Sequence, residues 1–492
     1  MTDTRRSGLT EADFRLTCEN GFGDGWNHYA HSMAWFEGRI YVGTTRATMA
    51  MNKWNLPRPE LRPWPVDCPE DVYDVPRQAE IWAYTPQADH WERVYQAPMV
   101  PGRNQRLVPR YIGFRGITVF QGASDRKPCL YVSTWAPLMA GSPEILRSED
   151  GMRFEPVPRP PFNPTVRSFR TLQVFKGRVH TSPTSAAAVA RRSADSVGSD
   201  STIYASDDLQ TARWRPASEE GFGDPRNVTV FEMQVFNGQL YASTVNPFTG
   251  FELWKTPGGE LPYRWTRVIA GGAGRGRFNE VGCSMAEFGG ALYVGTGIAN
   301  GGYHRQFSLG PAASEILRVW PDDSWELLVG DPRLVAGEVR YPLSGYSAGF
   351  DTLFNGYVWR MAEHEGWLYA ATFKWAQLLP YLPTHLWPED VVALIKRWGV
   401  DHIVRRYGGC ELWRTADGEL WEPVTRNGFG NPYNWGIRNL VSTEHGLFVG
   451  TTNPFGPTIA QRQANGQWIY VPNPRGGCEI WLGQRSHAAA TA

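Results

Sequence analysis

The chain has 492 residues, and its 49 basic and 49 acidic side chains give a formal net charge of zero. A balanced charge offers no general attraction to nucleic acid or to an acidic membrane surface, so neither is expected as a partner. The abundance of Trp (22), Gly (52) and Pro (37) favours many short strands joined by tight turns.

The first residues, MTDTRRSGLTEADF, lack the apolar run of a secretory signal. No stretch reaches the roughly 18–20 apolar residues that span a bilayer. The six cysteines are far apart and form no CxxC pair: Cys18, Cys68, Cys129, Cys283, Cys410 and Cys478. We therefore expect reduced thiols in a cytoplasmic protein.

A two-strand pattern recurs along the chain. Its clearest copies are MAWFEGRIYVGT, MQVFNGQLYAST, MAEFGGALYVGT, MAEHEGWLYAAT and LVSTEHGLFVGT, and the weaker ones are ITVFQGASDRKPCLYVST and LQVFKGRVHTSP. Alternating apolar residues around a Gly-containing turn are typical of a β-hairpin. A second pair of strands follows each hairpin, beginning with segments such as EIWAYT or ELWKTPG. Four strands repeated about seven times, at intervals of about 50 residues, predict an all-β, seven-bladed β-propeller with four antiparallel strands per blade.

We predict a single propeller domain over residues 1–492. The predicted blades cover residues 27–98, 109–160, 165–218, 226–271, 278–333, 354–427 and 433–484. The last copy lacks a fourth strand, and FRLTCENGFGD near the start matches WEPVTRNGFGN at the end of the sixth copy. Residues 10–22 are therefore predicted to supply the closing strand of the last blade, beside the segment at Glu479, which shields its sheet edge.

Long insertions follow the second strand of three copies, at residues 46–79, 183–200 and 374–409. The apolar spacing of PEDVVALIKRWGVDHIVRRYG predicts an amphipathic helix in the third insertion. In a closed ring the sixth, seventh and first blades adjoin, so two insertions would cover one sector. We expect a capped pocket beneath them.

Two residue types recur in most copies and are interpreted as structural. An asparagine precedes the inner strand in five copies, at Asn27, Asn227, Asn279, Asn355 and Asn434. A glutamate begins the third strand in six, at Glu80, Glu144, Glu252, Glu315, Glu411 and Glu479. A residue that recurs in this way performs the same task in each copy, such as bonding the turn backbone.

The segments TADGELW (Thr415 to Trp421) and SEDGMRF (Ser148 to Phe154) resemble the Asp-box turns of bacterial β-propellers with BNR- or kelch-like repeats, including sialidases. The resemblance implies a hairpin shaped by Asp and Gly with an aromatic side chain packed beneath it, and it concerns the fold only. The spacing is one residue shorter than the common S-x-D-x-G-x-x-W pattern. No motif for the arginine triad or the Tyr–Glu nucleophile of sialidases can be placed, and sialidases have six blades.

The candidate site consists of positions where the repeat keeps its register but the residue type changes. Near the start of the inner strand the copies read His31, Arg115, Arg170, Phe231, Cys283, Trp359 and Arg438. The next position reads Ser32, Gly116, Thr171, Glu232, Ser284, Arg360 and Asn439. His28, Glu280 and Trp435 lie just upstream, and Arg46 ends a second strand. Because inner strands line a propeller's channel, we expect these side chains to converge at its mouth.

The first hypothesis is an enzyme that acts on a small anionic, carbonyl- or phenol-bearing molecule in this funnel, as a lyase, hydrolase or alkyl-transferring enzyme. The substrate would be bound by Arg46, Arg115, Arg170, Arg360, Arg438, Asn439, Trp359 and Trp435. Protons would be exchanged by His28, His31 and Glu232. We expect the pKa of such a histidine to lie near neutrality and to be lowered by the arginines.

No organic cofactor is expected, because the chain has no Walker loop, dinucleotide fingerprint or CxxCH haem motif. The chain resembles the Friedel–Crafts alkylating enzymes of cyclophane natural-product biosynthesis in broad architecture only. It lacks room for their extra N-terminal domain.

Four alternatives stay open. The charged groups could simply pair, Glu232 and Glu280 with the arginines, in a hydrated channel. The chain could be a non-catalytic glycan- or protein-binding propeller, or a sialidase-like glycosidase. A calcium or transition-metal site could involve His28, His31, Cys283, His304 and Glu280, or the acidic loop DCPEDVYD. The sequence carries no indication of oligomeric state.

Overall fold

The computed structural model describes residues 7–55, 61–159, 162, 166–185, 201–299, 301–304, 307–383 and 389–485. Strands predominate in these ranges, which confirms the prediction of a mostly β chain. All six cysteines are buried and unpaired, as expected of reduced thiols. Within the same ranges, no helix combines the length and apolar content needed to cross a membrane.

Most strands belong to antiparallel sets of four, each formed by consecutive segments of the chain. Set 1 contains Asn27–Phe36, Arg39–Arg46, Glu80–Thr85 and His90–Gln96. Set 2 contains Gly113–Phe120, Cys129–Trp135, Ile145–Ser148 and Glu155–Pro156. Set 4 contains Thr229–Phe236, Gln239–Val245, Leu253–Thr256 and Thr266–Ile269. Set 5 contains Val281–Phe288, Ala291–Gly297, Ile316–Val319 and Trp325–Val329. Set 6 contains Asn355–His364, Trp367–Lys374, Leu412–Thr415 and Glu422–Thr425.

Set 3 is irregular. Its strands are Val166–Phe169, Gln173–Phe175, Arg178–Thr181, Pro183–Ser185, Tyr204–Ser206 and Arg215–Pro216. The first hairpin is thus split in two, with a break between Phe169 and Gln173. This is the copy whose sequence pattern is weakest. Most of the insertion predicted at residues 183–200 lies outside the described residues.

Set 7 joins both ends of the described chain. Gly436–Thr443, Gly446–Thr452 and Ile480–Gly483 are completed by Phe14–Cys18. Phe14 pairs with Gly483, and Leu16 pairs with Trp481. This is the pairing predicted from the similarity between FRLTCENGFGD and WEPVTRNGFGN.

Neighbouring sets touch near the start of their first strands. Single bridging pairs join them at Tyr29–Thr452, Thr45–Gly113, Trp135–Ser168, Val245–Val281, Gly297–Tyr357 and Phe373–Gly436. Sets 3 and 4 meet through side chains, because the Arg170 guanidinium lies 3.8 Å from the Phe231 ring centre. Set 7 thereby contacts set 1, the first in the chain, as well as set 6.

The remaining elements lie in connections. Small hairpins are formed by Met99–Pro101 with Leu107–Pro109, Arg333–Val335 with Glu338–Arg340, and Thr458–Arg462 with Trp468–Pro472. Short 3-10 turns occupy Glu11–Asp13, Val72–Asp74, Pro86–Ala88, Leu138–Ala140, Leu209–Thr211, Glu220–Gly223, Gly271–Gly274, Gly276–Phe278 and Ala376–Tyr381. The α-helices of eight or more residues are Thr48–Asn55, Glu389–Trp398 and Val400–Tyr407.

The insertion after residue 374 contains two helices where one was predicted. They are separated by Gly399, whose φ of +78° interrupts the helical backbone. Val391, Ile395 and Ile403 are the buried positions of the two helices, so the predicted amphipathic character is present in both.

Three insertions pack together into one structure, which we call the cap: residues 47–55 and 61–79, residues 375–383 and 389–409, and residues 453–475. The Arg62 amide donates to the Tyr381 carbonyl (2.9 Å), and the Tyr381 hydroxyl donates to the Ala460 carbonyl (2.8 Å). The Ala460 amide donates to the Pro65 carbonyl (2.8 Å). The expected meeting of the first and sixth insertions is therefore present, and the hairpin of set 7 joins them.

A buried asparagine–glutamate pair recurs at the entrance to five first strands. The asparagine Nδ2 donates to the carboxylate in Asn27–Glu80 (2.8 Å), Asn227–Glu252 (2.7 Å), Asn279–Glu315 (2.7 Å), Asn355–Glu411 (2.8 Å) and Asn434–Glu479 (2.6 Å). The same nitrogen also donates to a carbonyl of the preceding turn, at Gly21, Gly221, Gly272, Gly349 and Gly428. The structural interpretation of these residues is confirmed.

Aromatic stacking completes the motif in four of the five turns. A phenylalanine with positive φ follows the glycine and stacks on a third-strand tryptophan, in Phe22–Trp82, Phe222–Trp254, Phe350–Trp413 and Phe429–Trp481. Each indole N–H donates to the glutamate of the pair, at 2.8–3.0 Å. A left-handed conformation is costly for a non-glycine residue, and the stacking offsets that cost.

The motif also fixes the spacing of neighbouring sheets. The Gly428 amide donates to the Cys410 carbonyl of set 6 (2.9 Å), and the Cys410 amide donates to the Asn434 carbonyl of set 7 (2.7 Å). The same pattern joins sets 7 and 1, where the Gly21 amide donates to the Cys478 carbonyl and the Cys478 amide donates to the Asn27 carbonyl.

The two turns that resemble Asp boxes are shaped by their aspartates. Asp417 Oδ1 accepts from the amides of Glu419 and Leu420 (both 2.8 Å), and the Trp421 indole donates to the Gly418 carbonyl (3.1 Å). Asp150 accepts in the same way from the two amides that follow its turn. These bonds shape the turns between the third and fourth strands of sets 6 and 2.

Asn227→Ala is expected to lower the free energy of unfolding by about 2–4 kcal/mol, because it removes a donor from the buried Glu252 carboxylate and from the Gly221 carbonyl. Chemical denaturation measures the change. Asn465→Ala, at an exposed amide in a hairpin turn, is the control and should change it by less than about 0.5 kcal/mol. Equal effects of the two substitutions would contradict the structural role of the pair.

Candidate functional site

A β-bulge occurs near the start of the first strand in six sets. The strand register slips at His31, Arg115, Phe231, Cys283, Trp359 and Arg438. In set 3 the strand is broken at the corresponding place, which begins with Arg170. A bulge leaves one residue out of the ladder and re-aims its side chain. The first series of varying positions is therefore the one that the backbone releases from pairing, whereas Glu232, Arg360 and Asn439 in the second series remain paired.

The bulges bring arginines around His31. Burial lowers the pKa of His31 well below its usual value, and the charges of Arg115, Arg438 and Arg170 lower it further. The imidazole is therefore neutral at physiological pH. Its Nδ1 lies 2.7 Å from the Thr45 hydroxyl. The expected effect of the arginines is present, but burial takes the pKa below the neutral range expected from the sequence.

The arginines also lower each other's pKa values. Burial lowers the pKa of Arg438 to about 10, with repulsion from Arg360 adding to the shift. Burial lowers the pKa of Arg115 to about 10 as well, and the Arg438 charge contributes. Arg115 Nη1 donates to the Ser168 hydroxyl (2.8 Å), a neutral acceptor that brings no opposite charge.

Carboxylates compensate this charge only in part. Glu232 Oε2 lies 3.4 Å from Arg360 Nη1. Glu280, the second predicted acidic group, lies 3.0 Å from His304 Nδ1 and accepts from the Ala299 amide. Glu232 thus pairs with Arg360, one of the four arginines at positions 115, 170, 360 and 438, and Glu280 is held by a neighbouring histidine.

We call His31, Glu232, Cys283 and the arginines at positions 115, 170, 360 and 438 the central cluster. Aromatic rings lie beside it. Tyr29 lies between His31 and Trp359, with ring-centre distances of 5.6 and 6.0 Å. Phe373 then links Trp359 (5.4 Å) to Trp435 (5.2 Å). Tyr29 was not identified from the sequence, although it occupies the same repeat position as Tyr357, two residues after the recurring asparagine.

Accessibility differs within the cluster. His31, Glu232, Cys283 and Arg438 are buried, whereas solvent reaches Tyr29, Arg115, Arg170, Phe231 and Arg360, which are half-buried. Burial raises the pKa of the Cys283 thiol despite the nearby Arg170 and Arg438 charges, so the thiol is protonated at neutral pH. Cys283 is therefore not an activated nucleophile in this state.

His28 lies in a different environment from His31. Its Nε2 is 3.0 Å from the Gly456 carbonyl and must carry the proton, because a carbonyl only accepts. Its Nδ1, 3.0 Å from the Thr48 hydroxyl, then accepts. Both ring nitrogens are therefore used to tie the first strand to the cap, and these contacts give no support to the predicted catalytic role.

Arg46 belongs to the asparagine–glutamate motif. It donates to the Pro76 carbonyl (2.9 Å), the Asn27 side chain (3.1 Å) and the Asp24 carboxylate (2.5 Å). The equivalent residues in other sets also contact their local pair: Asn246, Lys374 and Asn453. The structure thus does not bring Arg46 to the other predicted substrate-binding arginines.

The last predicted site residue, Asn439, links two sheets. Its side-chain amide donates to the Ala30 carbonyl of set 1 at 2.6 Å. Among the residues that the structure describes, no group of three or more His, Cys, Asp or Glu side chains is arranged to hold a metal ion.

No protein-family model and no curated protein matches the chain. Solved structures that are similar include virginiamycin B lyase from Staphylococcus aureus (TM-score 0.36, 10% identity, 78% of this chain and 98% of that one). Another is the β-propeller domain of the trilobed protease from Pyrococcus furiosus (0.38, 7%, 89% and 93%). A third is the acylaminoacyl peptidase from Pyrococcus horikoshii (0.37, 9%, 90% and 52%), of which the match spans about half the length. β-Propeller proteins are thus among the structural neighbours, and likeness at this level carries no information about activity.

Acidification is expected to destabilise the protein partly through His28. Burial lowers the pKa of His28 to about 4 in the folded state, below its ordinary value of 6.5. Between these values the unfolded chain binds more protons, so the free energy of unfolding falls as the pH drops, by up to about 1.4 kcal/mol per pH unit for this group.

Denaturation of the His28→Gln variant between pH 7 and pH 4.5 tests this expectation, because its stability should depend less steeply on pH than that of the wild type. His90→Gln, at an exposed histidine, is the control and should keep the wild-type slope. A wild-type slope in His28→Gln would contradict the assignment.

Proposed function

We propose that sets 1 to 7 are the blades of one closed seven-bladed β-propeller that binds a small anionic organic molecule at its centre and acts on it as an enzyme. The ring is supported by the contacts of set 7 with both set 6 and set 1, and by the strand Phe14–Cys18 that completes set 7. In a propeller the first strand of each blade faces the central channel. The bulged side chains then meet around the axis.

The observation that carries the proposal is the positive charge gathered near the buried His31. The charges of Arg115, Arg170 and Arg438 act on His31, and burial lowers the pKa values of Arg115 and Arg438 to about 10. A buried charge such as that of Arg438 is costly unless it is compensated. An anion with carboxylate-like geometry would accept hydrogen bonds from these guanidinium groups and remove the repulsion between them.

His31 is the residue best placed for proton transfer. It is neutral without a ligand, and its Nδ1 contacts Thr45. A bound anion would cancel part of the arginine field and raise the pKa of the imidazole toward the range useful for acid–base catalysis. Guanidinium groups would stabilise negative charge that develops on the substrate. This combination suits a cofactor-independent lyase, hydrolase or alkyl-transfer reaction.

Two alternatives make different demands. A glycosidase requires two carboxyl groups about 5–10 Å apart across the substrate. Glu232 and Glu280 are engaged by Arg360 and His304, which does not favour that reaction. A non-catalytic binding propeller would use the same arginines and would differ by showing no turnover of any bound ligand.

The setting in which the protein works is also a proposal. Six buried, unpaired thiols suit a reducing compartment, so we propose a cytoplasmic location. The balanced net charge gives no reason to propose nucleic acid or an acidic membrane as a partner.

Arg438→Met is expected to abolish anion binding and to raise the free energy of unfolding of the ligand-free protein by about 1–3 kcal/mol, because it removes a buried charge that is repelled by its neighbours. Calorimetric titration with small carboxylates and chemical denaturation measure the two effects. Arg226→Met, at an exposed arginine paired with Asp224, is the control and should leave binding unchanged.

Loss of stability in Arg438→Met would indicate that the arginine is an ordinary structural ion-pair partner. Unchanged anion binding in the same variant would remove the proposed function.

A further inference from the structure

The central cluster has two chemically different walls. One consists of His31 with the arginines at positions 115, 170 and 438. The other is a continuous row of rings, from Tyr29 through Trp359 and Phe373 to Trp435, with successive ring centres 5.2–6.0 Å apart. A site for a simple inorganic anion would need only the first wall.

Arg438 lies where the walls meet. Its guanidinium carbon is 5.7 Å from the centre of the Trp359 ring, and its charge acts on both His31 and Tyr29. A ligand that places an anionic group against Arg438 would therefore place the adjoining part of its body against Trp359 and Tyr29. The anionic group and the apolar body must be separated by only a few bonds.

Flat aromatic surface is the best match to the second wall. Trp359 and Phe373 meet edge to face, as do Phe373 and Trp435, and the three rings are buried in one core cluster. A ligand ring would therefore contact the half-buried Tyr29 and the adjoining Trp359, by stacking or edge contact. Phe231 contributes a further ring opposite Arg170, at 3.8 Å, and it is half-buried. Arginine next to a ring also stacks well on aromatic ligands.

The cap encloses the aromatic wall on its outer side. Trp64, Trp375, Leu379 and Ile459 belong to one buried apolar cluster together with Trp359 and Trp435. A ligand body against Tyr29 and Trp359 would adjoin these apolar groups, whereas its anionic end would face the arginines. Charged or strongly hydrated substituents on the body would lose water without gaining partners.

We propose that the ligand of this site is an aromatic carboxylate, with the carboxylate on the arginines and the ring against Trp359 and Tyr29. This inference rests on the proposed anion-binding function and names its substrate class. Trp359 and Tyr29 are then specificity-determining residues, and Arg438 fixes the position of the carboxylate relative to the ring.

Titration of the intact protein with benzoate, cyclohexanecarboxylate, acetate and inorganic phosphate tests the proposal. Benzoate is expected to bind at least about 10-fold more tightly than acetate or phosphate, and several-fold more tightly than cyclohexanecarboxylate, which has similar size but no π face. Trp359→Leu should weaken benzoate binding about 10-fold and leave acetate binding unchanged. Trp359→Phe should retain most of the benzoate affinity.

Trp398→Leu is the matched control, because Trp398 is an exposed tryptophan on a cap helix and should not affect any of the four ligands. Denaturation curves of each variant establish that it is folded. If Trp359→Leu is unfolded, the comparison of benzoate with cyclohexanecarboxylate in wild type and Trp359→Phe decides the question.

The outcomes separate the two proposals. Phosphate or acetate binding more tightly than benzoate, with loss of binding in Arg438→Met, would overturn the aromatic class and leave the anion site in place. Equal affinity for benzoate and cyclohexanecarboxylate, with no effect of Trp359→Leu on binding, would also overturn the aromatic class and leave the anion site in place. No binding of any anion by the wild type would overturn both.

Discussion

The buried asparagine–glutamate pair is the interaction on which the rest of the structure depends. Its carboxylate is satisfied by an asparagine amide and, in four sets, by a tryptophan N–H, so a charged group is accommodated in the interior. The pair holds the turn that enters the first strand, and the turn exchanges backbone hydrogen bonds with the preceding sheet. The bulged residue follows four positions after the asparagine, as in Asn27 and His31 or Asn434 and Arg438. The recurring Asn–Glu pair thus fixes the backbone position of the bulged residue, whose side chain differs from one set to the next.

Repetition made much of the fold predictable. When a pattern occurs several times, the residues that recur can be recognised as structural by comparing the copies. The hairpins, the paired Asn and Glu residues and the strand Phe14–Cys18 could be identified from the sequence in this way. The bulges could not, because an extra residue in a ladder is defined by hydrogen-bond register and leaves no signature in residue type. The division of the cap helix depends on the backbone conformation of a single residue, Gly399, within a continuous amphipathic pattern.

The sequence singled out the positions that lie at the bulges, and it also singled out His28 and Arg46, whose side chains contact the cap and the local Asn–Glu pair. A departure from the repeat can signal chemistry, but it can also be a local replacement that does the same structural work. Arg46 stands where other sets have Asn246 or Lys374, all of which contact the nearby Asn–Glu pair. Aligning the ends of the second strands would have revealed this equivalence. Tyr29 was overlooked for the opposite reason, since an aromatic residue in a β-strand is ordinary.

The pairing of Phe14–Cys18 with Ile480–Gly483 also constrains how the protein is made. During translation the first of these strands leaves the ribosome long before its partner, and its hydrogen-bonding edge has no native counterpart until residues 480–483 have been synthesised. Closing so long a loop carries an entropic cost and delays the final contacts. The earlier sheets can assemble in order as they emerge, whereas the sheet that contains Arg438 is completed last. The sheet that carries Arg438 is therefore complete only after residue 483 has been synthesised.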